Sequence, residues 1–393
     1  MSVQMARLGD IAEDLRSGFA CGVDDPDGVI QFRMNNVERD GTLNWTKTRR
    51  VPRTIVKSGL TLQSKDILLN ATNSPDLVGK TALFVGADEP ITFSNHFLRL
   101  RMRTKAADPA YVARWLRRQF ELGNFKAMCR SWVNQASITR DQVSNLEIPL
   151  PPLNEQNRIA AILDKADQLR QKRRQAIALL DSLSQSIFLE MFGDPTEGSS
   201  FVSSTLGEAC IKITDGEHQN PDFTQDGMPI VMASQVGERF VDASNAKFVS
   251  NADGARFRKK CGPEQGDILV VGRGATIGRA TMVDTDVPFC LMGSVILLKP
   301  NRSVILPTVL QSWVKNPKIR AQLYKTSSSS AQQAIYLSHI KKLHISIPPM
   351  REQAIFSERV SNLLPLIKKS DASAISSETL FASLQHRAFT GQL

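Results

Sequence analysis

The amino-acid sequence predicts an α+β protein made by tandem duplication, in which a globular domain followed by a long helix occurs twice. Three observations support this fold class: motifs that recur about 200 residues apart, short strand signals in both globular segments, and two long segments with helical periodicity. The predicted boundaries are 1–153 and 194–350 for the globular domains, and 154–193 and 351–393 for the helices. We expect the two helices to pack as an antiparallel coiled coil about a pseudo-twofold axis.

The duplication is visible along the whole chain. The tripeptide LGD at residues 8–10 recurs as LGE at 206–208. A longer pattern, Leu-x-Ile-x-(Leu/Ile)-Pro-Pro-x-x-Glu-Gln, occupies residues 146–156 and again 343–353. These matches keep almost the same separation in residue number along the full length of the chain, so chance does not explain them. The sequence therefore indicates two copies of one unit.

Each globular segment has the signals of a small α+β domain. Short β-like runs lie at 67–69, 82–85, 97–100, 268–271 and 295–298. A helix that opens on proline is predicted at 109–119 in the first copy and at 307–315 in the second. A body of about 150 residues is large enough to bury a core of its own.

The segment 155–192 contains no Gly or Pro and predicts a long helix, which ends at the stop sequence FGDP. At a rise of 1.5 Å per residue it would extend about 57 Å. Apolar residues recur at spacings of mostly three and four and predict a seam, interrupted at Arg173, formed by Ile159, Ile162, Ala166, Leu169, Ala176, Leu180, Leu183 and Ile187. The copy at 352–389 contains Pro365 and the weak helix formers of 370–373, so we expect a kink there.

The composition favours an acidic partner. The chain of 393 residues has a formal net charge of +10, and both globular segments are net positive, so nucleic acid is the first candidate. The longest nearly apolar run, 289–298, is about half of what a bilayer crossing needs, and the first ten residues hold no apolar signal core. Five scattered cysteines without a CxxC pair are typical of reduced, packed thiols, which favours a cytoplasmic location.

Catalytic motifs are weak. Residues 73–81 resemble a P-loop, but Ser74 replaces the first glycine and a strand signal follows where a P-loop needs a helix. The glycines of 272–278 do not fit GxGxxG and predict a hairpin turn. His339 and His344 have no carboxylate near them in sequence, which argues against a metal site. We therefore predict a protein that is not an enzyme, with no catalytic or metal-binding residues.

The duplicated globular body, the two Leu-x-Ile-x-(Leu/Ile)-Pro-Pro-x-x-Glu-Gln motifs and the long helices that close with Phe-Gly or Phe-Thr-Gly resemble the specificity subunit of type I restriction–modification systems. The resemblance covers essentially all 393 residues. It implies that the globular bodies are target-recognition domains, each reading one half of a bipartite DNA site. It implies that the helices set the gap between the half-sites and dock the methyltransferase subunits.

The same resemblance implies the partners and cofactors. The expected partners are double-stranded DNA, two modification (methyltransferase) subunits and up to two restriction subunits. No cofactor is expected in this chain, because S-adenosylmethionine, ATP and magnesium belong to the partner subunits. Two alternatives stay open at this stage: a stand-alone duplicated DNA-binding regulator, and a scaffold that joins proteins through the helices.

Basic and amide side chains in loops are the candidate DNA contacts, because Arg and Lys suit guanine and phosphate, and Asn and Gln suit adenine. In the first domain the candidates are Lys47, Arg49, Arg50, Asn73, Lys80, Arg130, Asn134 and Gln135. In the second domain they are Arg256, Arg258, Lys259, Lys260, Arg273, Arg279, Lys325, Ser327, Gln332 and Gln333. Gln135 and Gln332 occupy equivalent positions of the repeat.

Overall fold

The structure, a computed structural model, describes residues 4–132, 135–197, 200–243, 246–325 and 334–393. The chain forms two compact units. Unit 1 consists of Met1–Arg173 with Ser373–Leu393, and unit 2 consists of Arg174–Ala372. The division falls inside both long helices, so each unit contains one globular domain, the first part of the helix that follows it, and the last part of the helix of the other copy.

The elements of unit 1 include strands at the predicted signals 67–69, 82–85 and 97–100 and a helix at 109–119, together with others that the sequence did not predict. They are β1 (Met5–Arg7), α1 (Leu8–Ile11), β2 (Ala12–Ser17), β3 (Val29–Phe32), β4 (Arg49–Val51), β5 (Ile67–Asn70), β6 (Thr72–Asn73), β7 (Thr81–Leu83), β8 (Ile91–Phe93), β9 (Phe97–Met102), α2 (Pro109–Glu121), α3 (Asn124–Met128), β10 (Arg130–Trp132), β11 (Gln135–Ser137), α4 (Arg140–Ser144), β12 (Glu147–Pro149) and the first part of α5 (Leu153–Phe192). The P-loop-like stretch leads into strand β7, which confirms the sequence argument against a phosphate-binding loop.

Unit 1 is organised around an antiparallel sheet in the order β2-β9-β5-β7. One side of this sheet packs against α2 in a core that includes Leu100, Tyr111 and Leu116. A three-stranded sheet, β4-β3-β8, adds the parallel pair β3 and β8. Strand β1 pairs with β12, which contains the Leu-x-Ile motif, and so ties the start of the domain to its end.

Unit 2 has the same elements in nearly the same order. They are β13 (Val202–Thr205), α6 (Leu206–Ala209), β14 (Cys210–Asp215), β15 (Phe223–Thr224), β16 (Met228–Val231), β17 (Lys247–Val249), α7 (Asn251–Lys260), β18 (Ile268–Val271), β19 (Ala280–Met282), β20 (Cys290–Leu291), β21 (Val295–Pro300), α8 (Pro307–Lys315), α9 (Pro317–Lys325), α10 (Leu337–Lys341), β22 (His344–Ile347), α11 (Met350–Ser361) and α12 (Leu364–Phe389), the last of which continues into unit 1.

The sheet topology repeats as well. The sheet β14-β21-β18-β19 corresponds to β2-β9-β5-β7, and β16 pairs in parallel with β20 as β3 does with β8. The duplicated tripeptides have one role in both copies: Leu8 N–H donates to the Leu146 carbonyl at 2.9 Å, and Leu206 N–H donates to the Leu343 carbonyl at 2.8 Å. The two sequence motifs recur together because they bond to each other.

Antiparallel helix packing is present within each unit. In unit 1, Arg158 of α5 reaches the Leu393 carbonyl, and Arg170 of α5 pairs with Glu378 of α12. In unit 2, Phe188 of α5 packs on Phe356 of α11 with ring centroids 5.8 Å apart. The interruption predicted from Pro365 is confirmed, since α11 ends at Ser361 and α12 begins at Leu364, whereas the weak helix formers of 370–373 lie within α12 and do not interrupt it. Proline is tolerated near a helix start, which explains the break just before Pro365.

The predicted apolar seam is correct at Ile159 and wrong at Leu169 and Leu183, which are 51% and 43% exposed. Asp167 and Arg170 are buried in unit 1 instead. Charged side chains occupy these positions because they form ion pairs there, and such pairs are invisible to a pattern based on hydrophobicity.

Candidate nucleic-acid interface

Two segments that carry candidate contacts meet in unit 1. Strand β6 pairs with β11, so that Asn73 lies opposite Ala136, and Ile138 N–H donates to the Ala71 carbonyl at 2.8 Å. The side chain of Gln135, at the start of β11, is exposed. The structure therefore brings the loop after β5 and the loop before α4 together, although they are more than sixty residues apart in sequence.

The same junction recurs in unit 2. Ile335 N–H donates to the Gly272 carbonyl at 2.8 Å, and Arg273 forms an antiparallel bridge with Ala334. Arg273 is exposed, as Gln135 is in unit 1. The two units thus present a polar or basic side chain where the same two loops meet. We call this place the loop junction of each unit, formed by 71–73 with 135–138 and by 272–273 with 334–335.

Several basic candidates in unit 1 are engaged inside the domain. Arg49 pairs with Asp24 at 2.5 Å. Arg50 forms two 2.7 Å hydrogen bonds with Glu89, which lower the pKa of that carboxyl. Lys47 is exposed. Of these three residues, Lys47 presents its charge to solvent without a bonded carboxylate among the described residues.

Lys80 and Asn73 are buried, at 6% and 8% exposure. The ammonium of Lys80 donates to the backbone carbonyls of Met34 and Val37, and burial lowers the pKa of Lys80. The Asn73 side chain accepts from the Ser74 N–H at 2.9 Å. In this structure both side chains bond to the backbone of their own domain and do not face solvent.

In unit 2 the basic candidates divide in the same way. Arg256, Lys259 and Lys260 are exposed on α7. Arg258 turns inward and donates to the Phe289 carbonyl at 2.7 Å. Arg279 contacts Glu238 at 3.2 Å. Arg256 pairs with Asp253 at 2.7 Å, and Lys260 donates to the Gly216 carbonyl at 3.1 Å and lies 3.6 Å from Asp215. Lys259 and Arg273 are therefore the exposed cations of this candidate set without a bonded carboxylate among the described residues of unit 2.

Six candidates cannot be placed as side chains. Asn134, Ser327, Gln332 and Gln333 lie outside the described residues, and the structure gives only the backbone of Arg130 and Lys325. Arg130 belongs to β10, whose backbone pairs with β11.

The structure assigns a role to the Gln of the duplicated motif that sequence reasoning missed. Gln353 is fully buried; its Oε1 accepts from Leu306 N–H at 2.8 Å, and its Nε2 donates to the carbonyls of Val304 and Pro348 at 2.9 and 2.8 Å. Gln156 does the same in unit 1, accepting from Asp108 N–H at 2.8 Å. Each Gln therefore joins a long helix to the start of a domain helix. The signal in the sequence that could have revealed this role is the identical place of the Gln in both copies of the motif.

A buried ion cluster, also missed, joins the domain of unit 1 to its helices. Asp167 accepts from Arg114, Arg117 and Arg170 at 2.6, 2.8 and 2.7 Å. Burial alone would raise the pKa of Asp167, but the arginines outweigh it and hold the pKa below its ordinary value. In unit 2, Arg239 contacts both Asp181 of α5 and Asp371 of α12.

The described ranges contain no group of three or more His, Cys, Asp or Glu side chains arranged to hold a metal ion. His339 and His344 are both exposed. None of the helices within those ranges combines the length and the apolar composition that a membrane crossing requires.

Comparison with known proteins identifies similar sequences. The family described as type I restriction modification DNA specificity domain matches residues 32–179 and 213–373. The chain is 31% identical over 211 residues to the putative type I restriction enzyme MjaX specificity subunit of Methanocaldococcus jannaschii, an alignment that covers 52% of this chain and 49% of that protein. The chain thus spans about half the length of this relative. It is 23% identical over 391 residues to the EcoKI specificity subunit of Escherichia coli, covering 92% and 82% of the two chains.

Two solved structures show the same fold. The type I restriction-modification S subunit from M. genitalium has a TM-score of 0.56 at 16% identity and covers 99% of this chain and 96% of its own. A chain from a structure on complex assembly and conformational transition of the type I R-M system has a TM-score of 0.50 at 19% identity, with full coverage of both chains.

Proposed function

Because the chain belongs to the family of type I restriction modification DNA specificity domains, which match it twice, we propose that it is the non-catalytic DNA-specificity subunit of a type I restriction–modification complex. Each unit's globular domain reads one half of a bipartite DNA site. The long helices set the gap between the half-sites and dock the methyltransferase subunits.

The observation that carries this proposal is the recurrence of the loop junction in both units. Each junction is built by the same backbone hydrogen bond, at 2.8 Å in both copies, and exposes Gln135 in one unit and Arg273 in the other. An amide suits adenine and a guanidinium suits guanine. These two side chains come from different loops of the junction, Gln135 from the loop before α4 and Arg273 from the loop after β18, so each unit offers its own side chain for reading a base.

Charge supports the binding of DNA at both units. Exposed cations such as Lys47 in unit 1 and Lys259 in unit 2 suit phosphate contacts, which supply affinity without sequence preference. The side chains at the loop junctions then supply the sequence preference. This division predicts that affinity depends on salt at both units, whereas specificity changes only where a junction is altered.

Exposed apolar side chains on the long helices support the docking of methyltransferase subunits. In unit 1 these are Leu169, Ile375 and Leu380, exposed by 51%, 64% and 58%. In unit 2, Leu179 and Leu366 are exposed by 68% and 53%. We propose two modification subunits and up to two restriction subunits as partners. These subunits carry S-adenosylmethionine, ATP and magnesium, and the complex acts on DNA in the cytoplasm.

A domain exchange tests the proposal. Replacing residues 1–150 with the same region of a relative should change one half of the methylated site and leave the other half unchanged, because the second loop junction is untouched. Methylated bases are mapped genome-wide in cells that also express the modification subunits. A change in both half-sites at once would refute the assignment of one domain to each half-site.

A control separates this function from the two alternatives. A stand-alone regulator would bind its DNA site tightly without methyltransferase subunits, and a protein scaffold would show no salt-dependent DNA binding. The specificity subunit should give site-specific methylation only in cells that contain both the chain and its modification partners.

A further inference from the structure

Unit 2 contains a cavity of about 420 Å³ between its globular domain and its long helices. Domain residues such as Phe240, Met282 and Lys315 line one side, and Ser184, Gln185 and Ile367 of the helices line the other. Apolar side chains share the lining with charged ones, among them Asp181 and Arg239. The volume lies within the range of ligand pockets.

The duplication shows what fills the corresponding place in unit 1. The register that aligns Phe192 with Phe389 aligns Ser184 of α5 with Phe381 of α12. The register of the domain helices, which aligns Trp115 with Trp313, aligns Arg117 of α2 with Lys315 of α8. Phe381 is 2% exposed, and the guanidinium carbons of Arg170 and Arg117 lie 4.1 and 6.0 Å from its ring centroid. An aromatic ring therefore occupies part of this place in unit 1, against a cation of the domain helix, and a smaller cavity of about 250 Å³ lined by Leu83, Arg114 and Arg117 remains there.

In unit 2 the cation of the domain helix is kept as Lys315, whereas Ile367 stands at the position of Arg170 and Ser184 at the position of Phe381. Lys315 lines the cavity, donates to the Glu238 carbonyl at 2.8 Å, and has its pKa lowered by burial. Ser184, with its small side chain, stands where the phenyl ring would begin. The desolvated ammonium lacks the aromatic face that Arg117 has in unit 1, and a ring placed there would be attracted to it.

The cavity also contains a polar atom without a partner. Gln185 Nε2 donates to the Ser312 carbonyl at 3.1 Å, which orients the amide. Gln185 Oε1 is buried and accepts no hydrogen bond from the described residues. A buried acceptor left unpaired is unfavourable, so an occupant with an N–H or O–H donor is preferred over a plain hydrocarbon.

We propose that this cavity receives an aromatic side chain with a hydrogen-bond donor, tryptophan or tyrosine, supplied by the methyltransferase subunit. The ring takes the place that Phe381 takes in unit 1, and its donor reaches Gln185. That the occupant is an aromatic side chain follows from the repeat. That the methyltransferase subunit supplies it rests on the proposed function.

Two variants of α5 make a matched pair. Ser184→Phe restores the residue of unit 1 and fills the part of the cavity next to α5, while Ser186→Phe makes the same change at an exposed position outside it. The free chain is titrated with indole and with 4-methylphenol, the side-chain analogues of tryptophan and tyrosine, and binding is followed by ligand-observed NMR. Wild type and Ser186→Phe should bind at least one probe saturably, and Ser184→Phe should bind it at least tenfold more weakly. Thermal unfolding checks that Ser184→Phe is folded, with a melting temperature at or above that of wild type.

Assembly with the methyltransferase subunit is then measured for the same three proteins. Ser184→Phe should weaken assembly at least tenfold relative to Ser186→Phe. Equal probe binding by both variants, or no saturable binding to wild type, overturns the aromatic site. Probe binding that is lost in Ser184→Phe with assembly unchanged overturns the assignment to the partner. If wild type itself does not assemble, the proposed function fails together with that assignment, while the probe titration still decides whether the cavity takes a ring.

Discussion

Replacing the buried glutamine of the second motif should destabilise unit 2 severely. Gln353→Ala leaves the N–H of Leu306 and the carbonyls of Val304 and Pro348 without the partners they have in the structure. An unpaired buried backbone group costs about 1–3 kcal/mol, and partial relaxation makes the three costs less than additive. We therefore expect a loss of about 3–5 kcal/mol, a large part of the stability of a typical domain.

The assay is urea unfolding followed by tryptophan fluorescence. Trp313 is the one tryptophan of residues 174–372, is 2% exposed, and lies on α8, the helix whose start Gln353 holds. Gln168→Ala, at an exposed position of α5, is the control and should change stability by less than about 0.5 kcal/mol. If Gln353→Ala lowered the unfolding midpoint no more than this control, the buried hydrogen bonds would not stabilise the unit as we argue.

The variant Gln353→Glu tests the direction in which stability changes with pH. Its carboxyl would lie in a fully buried site facing two carbonyls, so burial should raise its folded pKa above the unfolded value of about 4.3. The stability linked to the protonated acid is then fully present below the unfolded pKa and is lost as pH rises through the folded pKa. The variant should be closer to wild type at pH 4 than at pH 8, and an equal deficit at both pH values would contradict this.

Three further predictions follow from single features of the chain. Four residues inserted after Arg173 would lengthen α5 by about 6 Å, so methylation mapping should find a gap one or two base pairs longer with unchanged half-sites; an active variant that kept the original gap would show that the helix does not set it. Arg273→Ala and Gln135→Ala should each cost about 1–3 kcal/mol of specific binding, because both side chains are proposed to read a base, whereas Lys259→Ala, at a proposed phosphate contact, should lower the salt dependence of DNA binding by about one unit; unchanged binding in filter assays would remove the residue concerned from the interface. Lys318 and Thr196 lower the pKa of Asp194 to about 2, so this carboxylate stabilises the fold above its unfolded pKa and loses the effect as pH falls from about 4 to 2; Asp194→Asn should flatten the acid limb of the unfolding curve there, and an unchanged limb would argue against it.

The sequence by itself determined the architecture. Helix α5 was predicted from 155 to 192 and is found at Leu153–Phe192, because a long stretch without Gly or Pro, followed by a Gly and Pro stop, defines a helix locally. The break near Pro365 and the proline-started helices were predicted for equally local reasons. The duplication also identified the motif that contains Gln353, although it did not reveal what that side chain bonds.

Tertiary structure alone decided which side chains face solvent. Lys80 and Arg258 have the same local signature as Lys47 and Arg256, yet the first two bond to backbone carbonyls inside their domains. Burial of a cation depends on carbonyls that distant segments bring to it, and no local pattern encodes those. The sequence pattern wrongly placed Leu169 in the buried seam for the same reason. It could not show that Arg114 and Arg117 of α2 form ion pairs with Asp167, which is buried there instead.

The cavity of unit 2 shows both contributions at one place. The register of the repeat aligns Ser184 with Phe381, and that alignment can be read from the sequence. Only the packed helices reveal that Phe381 fills a space in unit 1 and that Ser184 leaves the corresponding space open in unit 2. A sequence records the size of each side chain, but whether that size fills or leaves a void depends on the surfaces that folding brings around it.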